Sequence, residues 1–291
     1  MTKKQSSALR DIDAPHYRYW QAVYYCFFSR TLYVDVGKRW RGLSVLYLLL
    51  LMFVVTIPFS VRIIIQFDNF FNQEIIIPLK KLPTIMVQNG LVSLDKPMPY
   101  FVKNDTGEVI AIVDTTGKIT EITNKYPDLS ILITKDSLIY RVPNPPHFFN
   151  LHQQKEWPTT TQQFSKEMNQ IFDSYAWVES SGLSTIKGVV EVMIYPMMAF
   201  LFFALYLVFL LAFALMAQFV AQILMKCNLT YLQSFRILTV SATPHIFTLL
   251  LALAFNQLFV GLGALLSILL AGYFSFAVLS LKRESNKLVN T

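Results

Sequence analysis

Apolar positions fall into two regimes along this chain. Residues 43 to 65 and 188 to 281 form long, nearly unbroken apolar runs, whereas residues 68 to 187 mix polar and apolar positions as a soluble domain does. The pattern predicts an α-helical integral membrane protein of about four transmembrane helices, with an inserted α+β, mainly antiparallel β, domain outside the cytoplasm. The expected segments are residues 1–42, a cytoplasmic aromatic and basic lead; 43–65, the first span; 66–187, the insert; 188–225, the second span; 226–236, a cytoplasmic loop; 237–255 and 258–281, the third and fourth spans; and 282–291, a cytoplasmic tail.

The first run, LSVLYLLLLMFVVTIPFSVRIII, covers roughly the ~30 Å of a hydrocarbon core at 1.5 Å per helical residue. Pro58 predicts a kink towards its outer end, and the Arg62 stem can snorkel to the interface. A 42-residue polar lead without a small-x-small site predicts an uncleaved anchor rather than a signal peptide. The second run contains no Gly, Asn or Pro pair near its middle, so one long tilted helix is expected there. The last two runs, separated by Asn256 and Gln257, form a tight hairpin.

Within the insert, Asn89-Gly90 between Thr84–Gln88 and Leu91–Leu94 is the strongest hairpin signal. Further turns at residues 104–107 and 114–117 separate strand-sized segments at 100–102, 109–113 and 119–122, which predicts an antiparallel meander. Residues 130–134 and 137–142 add a hairpin across Lys135-Asp136, and prolines 143, 145 and 146 end the sheet. Apolar spacing of three and four from Phe164 to Val178 predicts a helix over residues 159–178.

Charge sets the orientation. Residues 1–42 hold eight Lys or Arg against three acids, the insert is nearly balanced, and the tail is basic again. Both termini are therefore expected on the cytoplasmic side, which requires an even number of spans. Aromatic and basic residues interleave between His16 and Trp40, so the lead reads as a membrane-surface helix with Trp20, Arg39, Trp40 and Arg41 as interface anchors. Nucleic acid could use the same residue types, but the position directly before a span argues against it.

Candidate chemistry is sparse. Composition is 54% apolar with 24 Phe, and the two cysteines and four histidines do not cluster, so no metal, cofactor or catalytic set is expected. Asp114-Thr115-Thr116-Gly117-Lys118 resembles the phosphorylated aspartate loop of P-type pumps. Its lysine is misplaced, it falls on the side without ATP, and a β-turn is the simpler reading. Asn104-Asp105-Thr106 and Asn228-Leu229-Thr230 fit the glycosylation sequon, a pattern that arises often by chance. Glu191 lies near the outer interface. His245, beside Pro244, is the deep ionisable residue, about 13 Å past Arg236 if helical. It reads either as a neutral imidazole bonded to a neighbouring helix or as the centre of a polar path with Pro244, Thr243, Asn256 and Gln257.

The segments LYVDVGKRWRG (32–42) running into LYLLL (46–50), Asn89-Gly90, PMPY (97–100), IVDTTG (112–117) and ITKD (133–136) resemble the bacterial uncharacterised-domain family 1189, grouped distantly with Yip-type multi-pass proteins. The resemblance implies a bacterial inner-membrane protein with a periplasmic insert, and it carries no catalytic residues. Two function classes follow. One is a noncatalytic accessory or scaffold protein contacting membrane lipids or other envelope proteins. The other is a small-solute or lipid transporter or channel subunit, working as a homo-oligomer around His245.

Overall fold

The computed structural model describes residues 14–42, 44–104, 107–141 and 159–289, with side chains described as far as residue 286. The chain forms two compact units, Met1–Arg62 with Ile194–Thr291, and Ile63–Met193. The prolines at 143, 145 and 146 fall outside the described residues.

In the first unit, α1 (Tyr19–Tyr25) and α2 (Arg30–Lys38) precede α3 (Val45–Val55). A bend of 45° at Thr56 separates α3 from the helical stretch that α4 (Ile57–Phe71) begins. Pro58 lacks the N–H that would bond back one turn, so the helix breaks where the sequence predicts a kink. Thr56 meets the break by donating its hydroxyl to the Met52 carbonyl at 2.6 Å. The helix runs on past residue 65, the expected end of the first span.

The second apolar run is one helix, α7 (Leu183–Ile223), continuous through Pro196. The third run is two helices, α8 (Tyr231–Ser241) and α9 (Thr243–Ala254), bent by 41° at Ala242 just before Pro244. α10 (Leu262–Val289) follows after seven residues. By length and composition α7 and α10 can each cross a membrane, and the count rises to four if each bent pair is one span.

The lead departs from a single surface helix. α2 packs against α8 and α10, burying Leu32, Tyr33, Val36 and the carboxylate of Asp35. Asp35 accepts the backbone N–H groups of His16 and Tyr17 at 3.0 and 3.1 Å and pairs with Arg39 at 3.3 Å. Trp40 corrects the anchor reading: it is 3% exposed and packs edge-on against Tyr19 and Tyr47. The turn after α2 folds its ring back onto α3, where its area is buried against aromatic neighbours.

In the second unit, α4 passes through a π-helical turn (Asn72–Ile76) into α5 (Ile77–Lys81). Among the described residues eight strands follow: β1 (Ile85–Gln88), β2 (Leu91–Ser93), β3 (Tyr100–Lys103), β4 (Val109–Val113), β5 (Ile131–Ile133), β6 (Ser137–Tyr140), β7 (Thr160–Gln163) and β8 (Gln170–Phe172). They form two sheets, ordered β2-β1-β8 and β3-β4-β5-β6-β7. Asn89 and Gly90 both have positive φ, 52° and 74°, as a two-residue hairpin turn of the I′ kind requires.

Three expectations for this unit need correction. β4 and β5 pair parallel, so the meander stops at Val113. The seventeen residues between β4 and β5 are long enough for a crossover, which a parallel pair needs. Residues 119–122 are irregular rather than a strand, and Ile119 and Ile122 pack onto Ile112, Leu129 and Leu132. Residues 159–178 are not one helix. β7 pairs antiparallel with β6, β8 pairs with β1, and the helix is α6 (Ser174–Ser180) alone, begun by the Asp173 side chain. Of the expected core-facing stripe, Phe164, Met168 and Phe172 pack on the core and Val178 is buried, whereas Ile171 and Tyr175 are exposed. The threonine run 159–161 favours extended backbone, and available sheet edges satisfy it.

Candidate functional site

α9 begins at the bend after Ala242, and the bend aims successive side chains in different directions. Thr243 turns inward, where its hydroxyl lies 2.6 Å from the Tyr47 hydroxyl in a fully buried pair. Pro244 leaves the α8 turn without an amide donor, and its own carbonyl accepts the Thr248 hydroxyl at 2.8 Å. His245 faces α10, where Nδ1 lies 3.0 Å from the Leu266 carbonyl oxygen. A carbonyl only accepts, so Nδ1 carries the hydrogen and Nε2 is an acceptor.

The imidazole sits between aromatic rings of α7. Phe209 lies nearly parallel to it, with centroids 6.4 Å apart and 16° between planes, and Tyr206 meets it edge-on at 5.9 Å. These rings form one wall of an elongated groove of about 690 Å³ between α7 and α10, with Leu238, His245 and Leu249 as its floor. The α10 wall carries a row of small residues, Gly263, Ser267, Ala271 and Ser275, one per helical turn, flanked by Leu266, Leu270 and Phe274. The space lies open along the small row.

The other members of the expected polar path do not join His245. Asn256 and Gln257 are exposed in the α9–α10 connection, more than ten residues further along the chain. Asn256 adopts φ 55° to end α9, and the Gln257 amide donates to the Ala252 carbonyl at 2.8 Å. Thr243 is sealed against Tyr47. The bend therefore separates a buried hydroxyl pair from a groove-facing imidazole instead of lining one conduit.

Among the basic and aromatic lead residues, Trp20 is 62% exposed and Arg41 is exposed, whereas Arg39 is held by Asp35 and Trp40 is buried. Arg62 does not extend freely to an interface: its guanidinium donates to the Leu253 carbonyl at the C-terminal end of α9. A cation there also complements the helix dipole. In the second unit Lys187 pairs with Asp68 and, at 3.6 Å, with Glu191.

The aspartate of the pump-like segment is a turn-maker. Asp114 is fully buried and accepts the Thr116 amide at 2.9 Å, the Thr116 hydroxyl at 2.6 Å and the Ile119 amide at 2.6 Å. Burial works to raise its pKa, but these hydrogen bonds outweigh it and hold the carboxyl below the ordinary carboxylate value. Both carboxylate oxygens are engaged in shaping the loop. No group of three or more His, Cys, Asp or Glu suited to a metal ion occurs among the described residues.

Sequence reasoning missed Asp35, Tyr47, Tyr206 and the α10 row. The row was legible as a four-residue spacing of small residues within 263–275. The α7 wall was not, since residues 197–217 of α7 are apolar all round and none is marked for an inward role.

A family model described as "Protein of unknown function (DUF1189)" matches residues 20–278. No curated protein and no solved structure matches the chain.

Proposed function

Because the chain belongs to the DUF1189 family of proteins of unknown function, which brings no activity with it, we propose from the architecture itself that this is a noncatalytic accessory or scaffold protein of the bacterial inner membrane. In this reading each bent helix pair is one span, the four spans leave both termini in the cytoplasm, and unit Ile63–Met193 is the periplasmic body that contacts another envelope protein. The basic lead and tail support that orientation.

The observation that carries the reading is an uncovered sheet face in that unit. Met86 on β1 and Ile171 on β8 are direct cross-strand partners and are 38% and 68% exposed. The carboxamides of Gln88, Asn89, Asn169 and Gln170 surround them in a shallow concavity. Apolar side chains rimmed by uncharged polar groups suit a protein contact.

The test is mass spectrometry of the native complex extracted with its lipid at endogenous expression. A stoichiometric protein that is retained by the wild type and lost from Ile171→Glu supports the reading; its retention by that variant removes the sheet face from the argument. The topology is checked separately by labelling Thr120→Cys with a membrane-impermeant thiol reagent in intact cells, where failure to label before lysis overturns the periplasmic placement.

The alternative of a transporter or channel subunit keeps one point of support, the His245 groove. Its polar residues do not line a conduit, which makes it the weaker reading.

A further inference from the structure

The α10 wall of the groove runs from Gly263 to Ser275, about 18 Å at 1.5 Å per residue. An extended alkyl or isoprenoid chain matches that length and the apolar lining. The volume also falls within the range of about 300–1,000 Å³ usual for small-ligand sites.

One unpartnered acceptor limits the chemistry. His245 Nδ1–H is committed to Leu266, and Nε2, an acceptor, has no hydrogen-bond partner among the described residues and is not sealed from the groove that the residue lines. In a bilayer no water is at hand for an acceptor at that depth, so a bound molecule must bring a donor to it or leave it unsatisfied. His245 lies beside Leu266 and the phenol ring of Tyr206, near the hairpin end of the groove, and the rest of the groove towards Met216, Val220 and Ser275 is apolar apart from two serine hydroxyls. Ser267, one of the two, is already turned back onto the Gly263 carbonyl at 2.8 Å.

We propose that this groove binds one apolar chain of an amphiphile whose polar end donates a hydrogen bond to His245 Nε2, with the chain running along the small-residue face of α10. The donor can be a hydroxyl, an amine or a protonated acid. The proposal rests on the membrane embedding of the reading above but not on its protein partner, so loss of that partner leaves it standing.

A matched pair of probes tests it. The full chain in nanodiscs is titrated with hexadecanol and with hexadecyl methyl ether, which share the chain and differ in the donor, and bound stoichiometry is read by native mass spectrometry. The expected result is one hexadecanol per chain and at least tenfold weaker binding of the ether. His245→Phe is expected to abolish the difference between the probes, and Ala271→Phe, which fills the channel, to weaken both at least tenfold. Circular dichroism establishes that each variant retains its helices. Equal binding of the two probes to the wild-type protein overturns the proposal whatever the variants do. So does disulfide formation between copies through Ala271→Cys, in a background without Cys26 and Cys227, because a second copy would then occupy the face.

Discussion

The Nδ1 of His245 lies 3.0 Å from the carbonyl oxygen of Leu266, which joins α9 to α10 by a side chain at the bottom of the α9–α10 hairpin. The bond fixes the imidazole as its Nδ1–H form and turns the other nitrogen towards the groove. His245→Phe keeps the ring stack with Phe209 and loses the bond. The expected cost is about 1 kcal/mol, which thermal unfolding in detergent should read as a midpoint lowered by roughly 2–4 °C.

Asp35 is the most connected buried acid of the first unit, holding the amides of His16 and Tyr17 and the guanidinium of Arg39. Asp35→Ala leaves those donors without their acceptor and is expected to cost about 2–4 kcal/mol. Limited proteolysis should then cut within residues 14–29 far sooner than in the wild type, and Asp35→Asn should be intermediate.

Stability of the second unit should depend on pH through Asp114. Its folded-state value is depressed by the hydrogen bonds of Thr116 and Ile119, so its contribution is fully present above the ordinary carboxylate value near 4 and is lost as pH falls through the lower folded value. Hydrogen exchange of the β4 and β5 amides between about pH 5 and 2 reads this. Asp114→Asn should flatten that dependence, at a cost of about 1–3 kcal/mol near neutral pH.

Gly90 and Gly117 share a positive φ, 74° and 79°, but not their surroundings. A Cβ at Gly90 would come within 2.7 Å of the Ser165 carbonyl oxygen, whereas at Gly117 it would meet open space. Gly117→Ala should cost about 1 kcal/mol from backbone strain. Gly90→Ala should cost clearly more, since backbone must move as well, and paired thermal melts compare them directly.

What the sequence by itself determined is what depends on neighbours within a turn or two. The apolar runs mark the helices, Pro58 and Pro244 mark the two bends, and Asn89-Gly90 and Lys135-Asp136 mark two hairpins, because dihedral preference and missing amides act locally. Tertiary structure decided what depends on competing partners. Residues 160–163 became a strand since the β6 edge was there to pair with, and β4 and β5 run parallel since the 114–130 segment crosses back over the Ile112 and Leu132 core. Trp40 went inward since Tyr19 and Tyr47 offered rings to pack against. The groove belongs to this second class: no apolar stripe singles out one face of α7 along residues 197–217, and which of its rings line a groove depends on the small residues Gly263, Ser267, Ala271 and Ser275 of α10 standing opposite.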